Sequence, residues 1–279
     1  MSNIEIEQNG ERLFTSFYPN YQQETVILLH GGPGIPSDLK EVADLLKQDY
    51  QVICFHQRGT GLSPCNGDYS IARYLADIDV VARHFAVDKF HLFGYSWGGL
   101  YAQLYALKYP AKIQSMFLCS PSAGVGAQWK EMELELLKYN YQRSGALAFI
   151  NMGLNALLGL LGSDKSMQKS SKQIVRNYNK GFEEDAQLYS ELVNIKAAPI
   201  NSTRSALLSY PALPSPIMTD YKITISFGDQ DIYGASKRYT IHRYPQAIVQ
   251  TIEKSGHFPW HHHKERFEQV LRGHFDGII

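Results

Sequence analysis

Three residues far apart in the chain, Ser96, Asp231 and His257, have the types and the order that nucleophilic acyl transfer requires. A serine hydroxyl is a weak nucleophile at neutral pH and needs a base beside it, and an imidazole acting as that base needs an acid to fix its tautomer. Ser96 stands in Phe93-Gly94-Tyr95-Ser96-Trp97-Gly98-Gly99, a G-x-S-x-G pattern. A short apolar run precedes it, and alanine, leucine and tyrosine at helical spacing follow from Leu100 to Tyr109. At such a strand-to-helix turn the glycines let strand and helix approach, while the serine is held in a strained conformation with its hydroxyl presented outward. Asp231 comes three residues after Gly228, where another strand ends, which leaves room for a carboxylate to turn back; Asp229 is the alternative acid. His257 lies in Ser255-Gly256-His257-Phe258-Pro259, past the end of a further strand. On this reading Ser96 Oγ attacks a carbonyl carbon while His257 takes its proton and then passes it to the leaving group. The N–H groups of Gly32 and Trp97 are the candidate oxyanion donors.

These groups need a scaffold that gathers strand ends. Ile4 to Tyr18, with Asn9-Gly10 at its centre, reads as a hairpin. Thr25–Leu29, Gln51–Phe55, Lys89–Phe93, Ile113–Cys119, Ile223–Phe227 and Ala247–Ile252 read as strands, with helices expected over Asp38–Gln48, Tyr69–Phe85 and His261–Phe275. Continuous apolar runs alternating with helical stripes predict an α/β fold: a mostly parallel central sheet flanked by helices. Its ligands gather at the carboxyl ends of the strands. Between about 121 and 216 the pattern is helical throughout, so residues 1–120 and 217–279 form the expected core and 121–216 an all-helical lid. Arg58, in the loop His56-Gln57-Arg58-Gly59-Thr60-Gly61-Leu62-Ser63, reads as an arginine that ties neighbouring loops together, with contact to substrate as the alternative.

Composition narrows the partners. Lysine plus arginine and aspartate plus glutamate number 27 each, so no overall field favours nucleic acid or an anionic membrane, and a small molecule or short peptide is the expected substrate. Ala146 to Leu161 is very apolar but shorter than a membrane span and contains Asn151 and Asn155, which argues against stable insertion. Cys54, Cys65 and Cys119 form no C-x-x-C pair, and the amino terminus is polar and acidic, so a cytoplasmic location is expected. His261, His262 and His263 are adjacent and would diverge on a helix, so no metal site is expected of them.

His30-Gly31-Gly32-Pro33-Gly34, Gln57-Arg58-Gly59-Thr60-Gly61-Leu62-Ser63, Gly94-Tyr95-Ser96-Trp97-Gly98-Gly99 and Ser255-Gly256-His257 together resemble the α/β-hydrolase superfamily, and more narrowly its proline iminopeptidase branch. The resemblance covers the core, about two thirds of the chain. It implies release of an amino-terminal residue from short peptides, with the triad on Ser96, Asp231 and His257 and no cofactor. Gly31 and Tyr95 are further substrate-binding candidates. Acidic residues of the lid would hold the substrate ammonium in that branch, and Glu183, Glu184, Asp185 and Glu191 are available here. His56 departs from the pattern, which usually has aspartate before glutamine-arginine-glycine, so the partners of that carboxylate must be satisfied differently. Aminopeptidase action is the leading expectation; an esterase, lactonase or amidase acting on a small apolar metabolite by the same chemistry is the alternative, and a ligand-binding receptor that retains the fold comes third.

Overall fold

Each apolar run becomes a strand because a parallel sheet covered on both faces leaves no side of a central strand to water. The computed structural model describes residues 1–276 apart from 9, 22, 66, 184–188, 190 and 191. Its strands are β1 (Ser2–Gln8), β2 (Glu11–Tyr18), β3 (Thr25–Leu29), β4 (Gln51–Phe55), β5 (Phe90–Tyr95), β6 (Ile113–Cys119), β7 (Lys222–Gly228) and β8 (Ile248–Ile252). All residues of β3, β4 and β5 are buried. The eight strands form one sheet in the order β1-β2-β4-β3-β5-β6-β7-β8. β4 through β8 run parallel along that order, and β1 and β2 are added antiparallel at one edge. Gln8 pairs with Glu11, as a tight hairpin demands, although Asn9 of the expected turn lies outside the described residues.

From β3 the chain crosses to β4 on one side through α1 (Lys40–Leu46), then back past β3 to β5 through α2 (Ile71–His84). This reversal opens a crevice beyond the carboxyl ends of β3 and β5, where parallel sheets bind their ligands. Both the glycine loop after β3 and Ser96 after β5 fall there. α3 (Trp97–Lys108) packs with α2 on one sheet face, in a core that includes Ile78, Trp97, Tyr101 and Met116. The other face is covered by α1 and the carboxyl-terminal helix around Phe93, Phe117, Phe267 and Phe275.

Between β6 and β7 the chain forms α4 (Ala127–Ser144), α5 (Ala146–Leu160), α6 (Asp164–Asn179) and α7 (Ala197–Ser209). α8 (Lys237–Arg243) precedes β8. The end of the chain departs from the expected single helix over 261–275: it is divided into α9 (Pro259–His262) and α10 (Lys264–Phe275), with the break at His263, φ −149°. Each of the three histidines has its own partner. His261 Nδ1 lies 3.2 Å from a Glu41 carboxylate oxygen. His262 Nδ1 accepts from Gly256 N–H at 2.9 Å and His263 Nδ1 donates to the Glu253 carbonyl at 2.7 Å.

Arg58 is buried and structural. It meets Asp77 through Nε at 2.9 Å and Nη2 at 2.6 Å, and donates from Nη1 to the Asp68 carbonyl at 2.8 Å. Two-pronged geometry holds the loop after β4 against α2, and removing one member of such a buried pair strands the other charge at a cost of about 3–5 kcal/mol. His56 solves the problem left by the missing aspartate. Its Nδ1 accepts the Leu62 N–H at 3.1 Å, which leaves Nε2–H to donate to Asp38 Oδ1 at 3.0 Å. The carboxylate is thus supplied from one shell further out, and its hydrogen bond to His56 holds the Asp38 carboxyl below the usual carboxylate range.

Candidate active site

The turn from β5 into α3 carries its serine in a conformation that L-residues avoid: Ser96 has φ 53° and ψ −117°. Two glycines make the turn feasible. A Cβ on Gly94 would overlap the Gly98 carbonyl, and one on Gly98 would overlap the Leu29 carbonyl at the end of β3. The strained residue is pinned from three sides. Its N–H donates to the Cys119 carbonyl at 3.0 Å, and its carbonyl accepts from Gly99 N–H at 2.9 Å and Ser122 N–H at 3.0 Å. Such over-determination is what keeps a strained nucleophile in place.

β7 and β8 bring the other two groups to the same rim. Ser96 Oγ lies 3.1 Å from His257 Nε2, and His257 Nδ1 lies 3.0 Å from Asp231 Oδ1. The Asp231 side chain is fully buried and that of His257 is 3% exposed. Burial alone would favour the neutral acid at Asp231. The charge and hydrogen bond of His257, the charge of Lys237 and the Ser120 hydroxyl outweigh it and hold this carboxyl below the ordinary range. Asp231 Oδ2 accepts from Ser120 Oγ at 2.6 Å, and Oδ1 also accepts from Tyr233 N–H at 3.3 Å. An ionised Asp231 can only accept, so Nδ1 carries the imidazole proton and Nε2 is free to take the proton of Ser96. Asp229 is occupied elsewhere: its Oδ1 accepts from Ser255 N–H at 3.0 Å and fastens the loop that carries His257 to the end of β7.

The glycine loop is positioned by a buried relay. His30 Nε2 accepts from Gln57 N–H at 3.1 Å, so its proton sits on Nδ1 and is donated to the Gly31 carbonyl at 2.9 Å. Burial drives the His30 pKa down to about 4, which keeps the ring neutral. Gln57 donates to the His30 carbonyl at 2.8 Å and accepts from the Trp97 indole N–H at 2.7 Å, linking the loops after β3 and β4 to the first residue of α3. A Cβ on Gly31 would sit 3.2 Å from Ser96 Cβ and closer still to the Tyr95 ring, so the backbone of this loop passes directly over the serine. Gly32 follows with φ 54°. Trp97 N–H belongs to the first turn of α3, where backbone donors have no intrahelical acceptor.

A cavity of about 530 Å³ opens over Ser96 and His257, roofed by α4, α5, α6 and α7. Its walls are apolar: Met132, Leu136, Phe149, Met152, Val175 and Ile200 are representative. Gly31, Gly32, Tyr95 and Trp97 also line it. Glu133 is the single carboxylate among the described lining residues, and it is already engaged. Arg204 donates to it from Nη2 at 2.7 Å, and the Trp129 indole N–H donates at 2.8 Å. Glu183 is exposed and does not line the cavity, and Glu184, Asp185 and Glu191 lie outside the described residues.

Three contributors carry no sequence motif. Tyr233 brings its hydroxyl within 3.3 Å of Ser96 Oγ and 3.0 Å of Ser122 Oγ, and Ser120 holds the far oxygen of Asp231. Ser120 stands immediately after β6, so the rule that strand ends face the site was the available signal. His262 is the third. Beyond Gly256 N–H it donates from Nε2 to Asn179 Oδ1 at 2.8 Å, coupling the His257 loop to the end of α6.

The chain is similar to known proteins in sequence and in fold. The profile of a family described as alpha/beta hydrolase fold matches residues 24–263. A proline iminopeptidase of Lactobacillus acidophilus is 34% identical over 125 residues, which is 42% of this chain and 42% of that protein. The chain therefore spans well under half the length of this curated relative in the matched region. Among solved structures, a proline iminopeptidase of Mycobacterium smegmatis superposes with a TM-score of 0.73 at 14% identity, over 99% of this chain and 98% of the other. An esterase from Exiguobacterium antarcticum gives 0.72 at 17% identity, over 99% and 100%. At these identities the superpositions establish shared architecture alone.

Proposed function

From a chain that belongs to the alpha/beta hydrolase fold family, we propose a serine hydrolase that cleaves esters or amides of a small molecule with an apolar acyl group, using Ser96, His257 and Asp231. The carrying observation is the hydrogen-bonded chain from Asp231 through His257 to Ser96 at the floor of an apolar cavity. Ser96 Oγ forms a bond to the acyl carbon as its proton passes to His257 Nε2, and the imidazolium is stabilised by the buried Asp231 carboxylate. The oxyanion draws on the N–H groups of Gly32 and Trp97, each such donor being typically worth roughly 10² to 10³ in rate. His257 then protonates the departing oxygen or nitrogen, and in the second half takes a proton from water as the water attacks the acyl-enzyme and frees Ser96. The helical segment over residues 121–216 serves as the lid: it supplies most of the apolar wall and keeps bulk water from the acyl-enzyme.

The apolar wall favours the acyl reading over recognition of a charged amine, because Glu133 already has Arg204 and Trp129 as partners. Aminopeptidase activity of the proline iminopeptidase kind is the second reading, favoured by the 34% match to the Lactobacillus acidophilus protein. On that reading Glu133 is the described carboxylate nearest to hand for a substrate ammonium. A substrate panel separates the two. With p-nitrophenyl esters, lengthening the acyl chain from about two to six carbons is expected to raise kcat/KM at least roughly tenfold, since each buried methylene contributes about 0.8 kcal/mol. Preferred turnover of proline-β-naphthylamide, abolished by N-acetylation of the substrate, would instead establish the aminopeptidase.

A further inference from the structure

α5 is apolar on the side that lines the cavity and apolar again on the side that faces away from it. Phe149, Met152, Gly153, Ala156 and Leu160 line the cavity. Leu147, Ile150, Leu154, Leu157, Leu158 and Leu161 follow the spacing of the opposite side, and each is at least half exposed, from 50% at Leu158 to 79% at Leu161. No charged residue occurs between Arg143 and Asp164. α4 adds Leu134 and Tyr141, 66% and 60% exposed, and the Tyr141 ring meets Phe149 edge-on. A contiguous apolar surface of this kind on a folded chain marks a docking face.

What lies beside it identifies the partner. α6 packs alongside α5 and turns Met167, Ser170, Ser171, Ile174 and Val175 toward the cavity. Its opposite side carries Lys165, Lys169, Lys172 and Arg176, all exposed and in one stripe, and among the described residues none of the four meets a carboxylate. Among the described residues of α4 to α6 every acidic side chain has a partner, and in the rest of the layer the described Glu183 is exposed. Glu131 is paired with Arg238, Glu133 with Arg204 and Asp164 with Lys196, while Glu135 accepts from Gly234 and Ser236 N–H. The equal totals of acidic and basic residues over the whole chain therefore conceal a roof whose outer surface is apolar along one helix and cationic along the next.

We propose that this outer face of α5 and α6 docks the protein on an anionic lipid surface, the leucines of α5 entering the acyl boundary and the α6 cations meeting the headgroups. An apolar stripe flanked by lysine and arginine is the pattern of an interfacial helix, and electrostatic attraction to acidic lipid adds to the apolar term. Docking of this kind is peripheral: among the described residues no helix is long and apolar enough to cross a membrane. It is also independent of turnover, because none of Leu154, Leu157, Lys169 or Lys172 lines the cavity.

The test is flotation of the full chain with vesicles of phosphatidylcholine alone and with about one quarter phosphatidylglycerol. Binding to the anionic vesicles, weakened by about 0.5 M salt and at least tenfold poorer on neutral ones, is expected. Leu154→Ser with Leu157→Ser is expected to abolish binding to both. Lys169→Glu with Lys172→Glu is expected to lower affinity for the anionic vesicles by roughly tenfold or more. All four positions are exposed, so native circular dichroism and unchanged hydrolysis of a water-soluble ester should accompany each variant. Absence of flotation with anionic vesicles would overturn the proposal. So would a concentration-dependent dimer of the wild-type chain, dispersed by the leucine pair, in protein that does not float.

Discussion

Replacing Ser96 with alanine is expected to lower kcat by a factor on the order of 10⁶ while leaving the fold intact. The size follows from what the hydroxyl does: without it no acyl-enzyme forms, and Gly32 and Trp97 can at best stabilise direct attack by water. The fold should survive because the backbone at Ser96 is fixed by Cys119, Gly99 and Ser122 through main-chain hydrogen bonds that alanine retains. The side chain contributes contacts to His257 at 3.1 Å and Tyr233 at 3.3 Å, and both partners line a cavity that water can enter. Steady-state kinetics on the best ester of the panel, with a urea unfolding curve on the same preparation, checks both halves. A loss of activity matched by a collapse in the unfolding midpoint would attribute the effect to misfolding instead.

Asp231→Asn is expected to cost on the order of 10⁴ in kcat, from a change of one atom. Asp231 receives three donors: Ser120 Oγ on Oδ2, and His257 Nδ1 and Tyr233 N–H on Oδ1. Asparagine has a single acceptor oxygen, so it cannot satisfy both sides. If the amide nitrogen turns toward His257, the imidazole must accept at Nδ1, its proton moves to Nε2, and Nε2 no longer accepts from Ser96. If it turns toward Ser120, His257 keeps its tautomer but the imidazolium loses its buried counter-charge. Asp229→Asn is the matched control, because its oxygen can go on accepting the Ser255 N–H and it touches neither His257 nor Ser96. Its kcat is expected within about tenfold of the wild type. Equal losses in the two variants would mean that the acid has been assigned to the wrong residue.

Much of this site was legible because strand ends are legible. β3, β5, β7 and β8 are short runs rich in isoleucine, valine, leucine and phenylalanine, the helices between strands imply a parallel sheet, and the residues just past such strands share one rim. Ser96, Asp231, His257 and the glycine loop could therefore be set together from residues alone. What lies outside that rule stayed hidden. Tyr233 and the Glu133–Arg204 pair reach the cavity through packing between the helical layer and the core, and no local spacing records it. Glu183 shows the same limit from the other side, since an acidic residue in the right segment turns out to face solvent. His56 and His262 are intermediate. The residues after His56 flagged it as a departure without naming its partners, and nothing beside His262 pointed to a role. Each has its tautomer fixed by a backbone N–H, from Leu62 and Gly256 respectively.

The relay from Asp231 through His257 to Ser96 makes one demand that a single measurement can check. Wild-type protein treated with a fluorophosphonate, digested and analysed by mass spectrometry is expected to carry one stoichiometric adduct, on Ser96, formed at a rate reduced by orders of magnitude in His257→Ala. Folded wild-type protein that acquires no adduct, or an adduct on another residue that persists in Ser96→Ala, would contradict the assignment of Ser96 as the nucleophile.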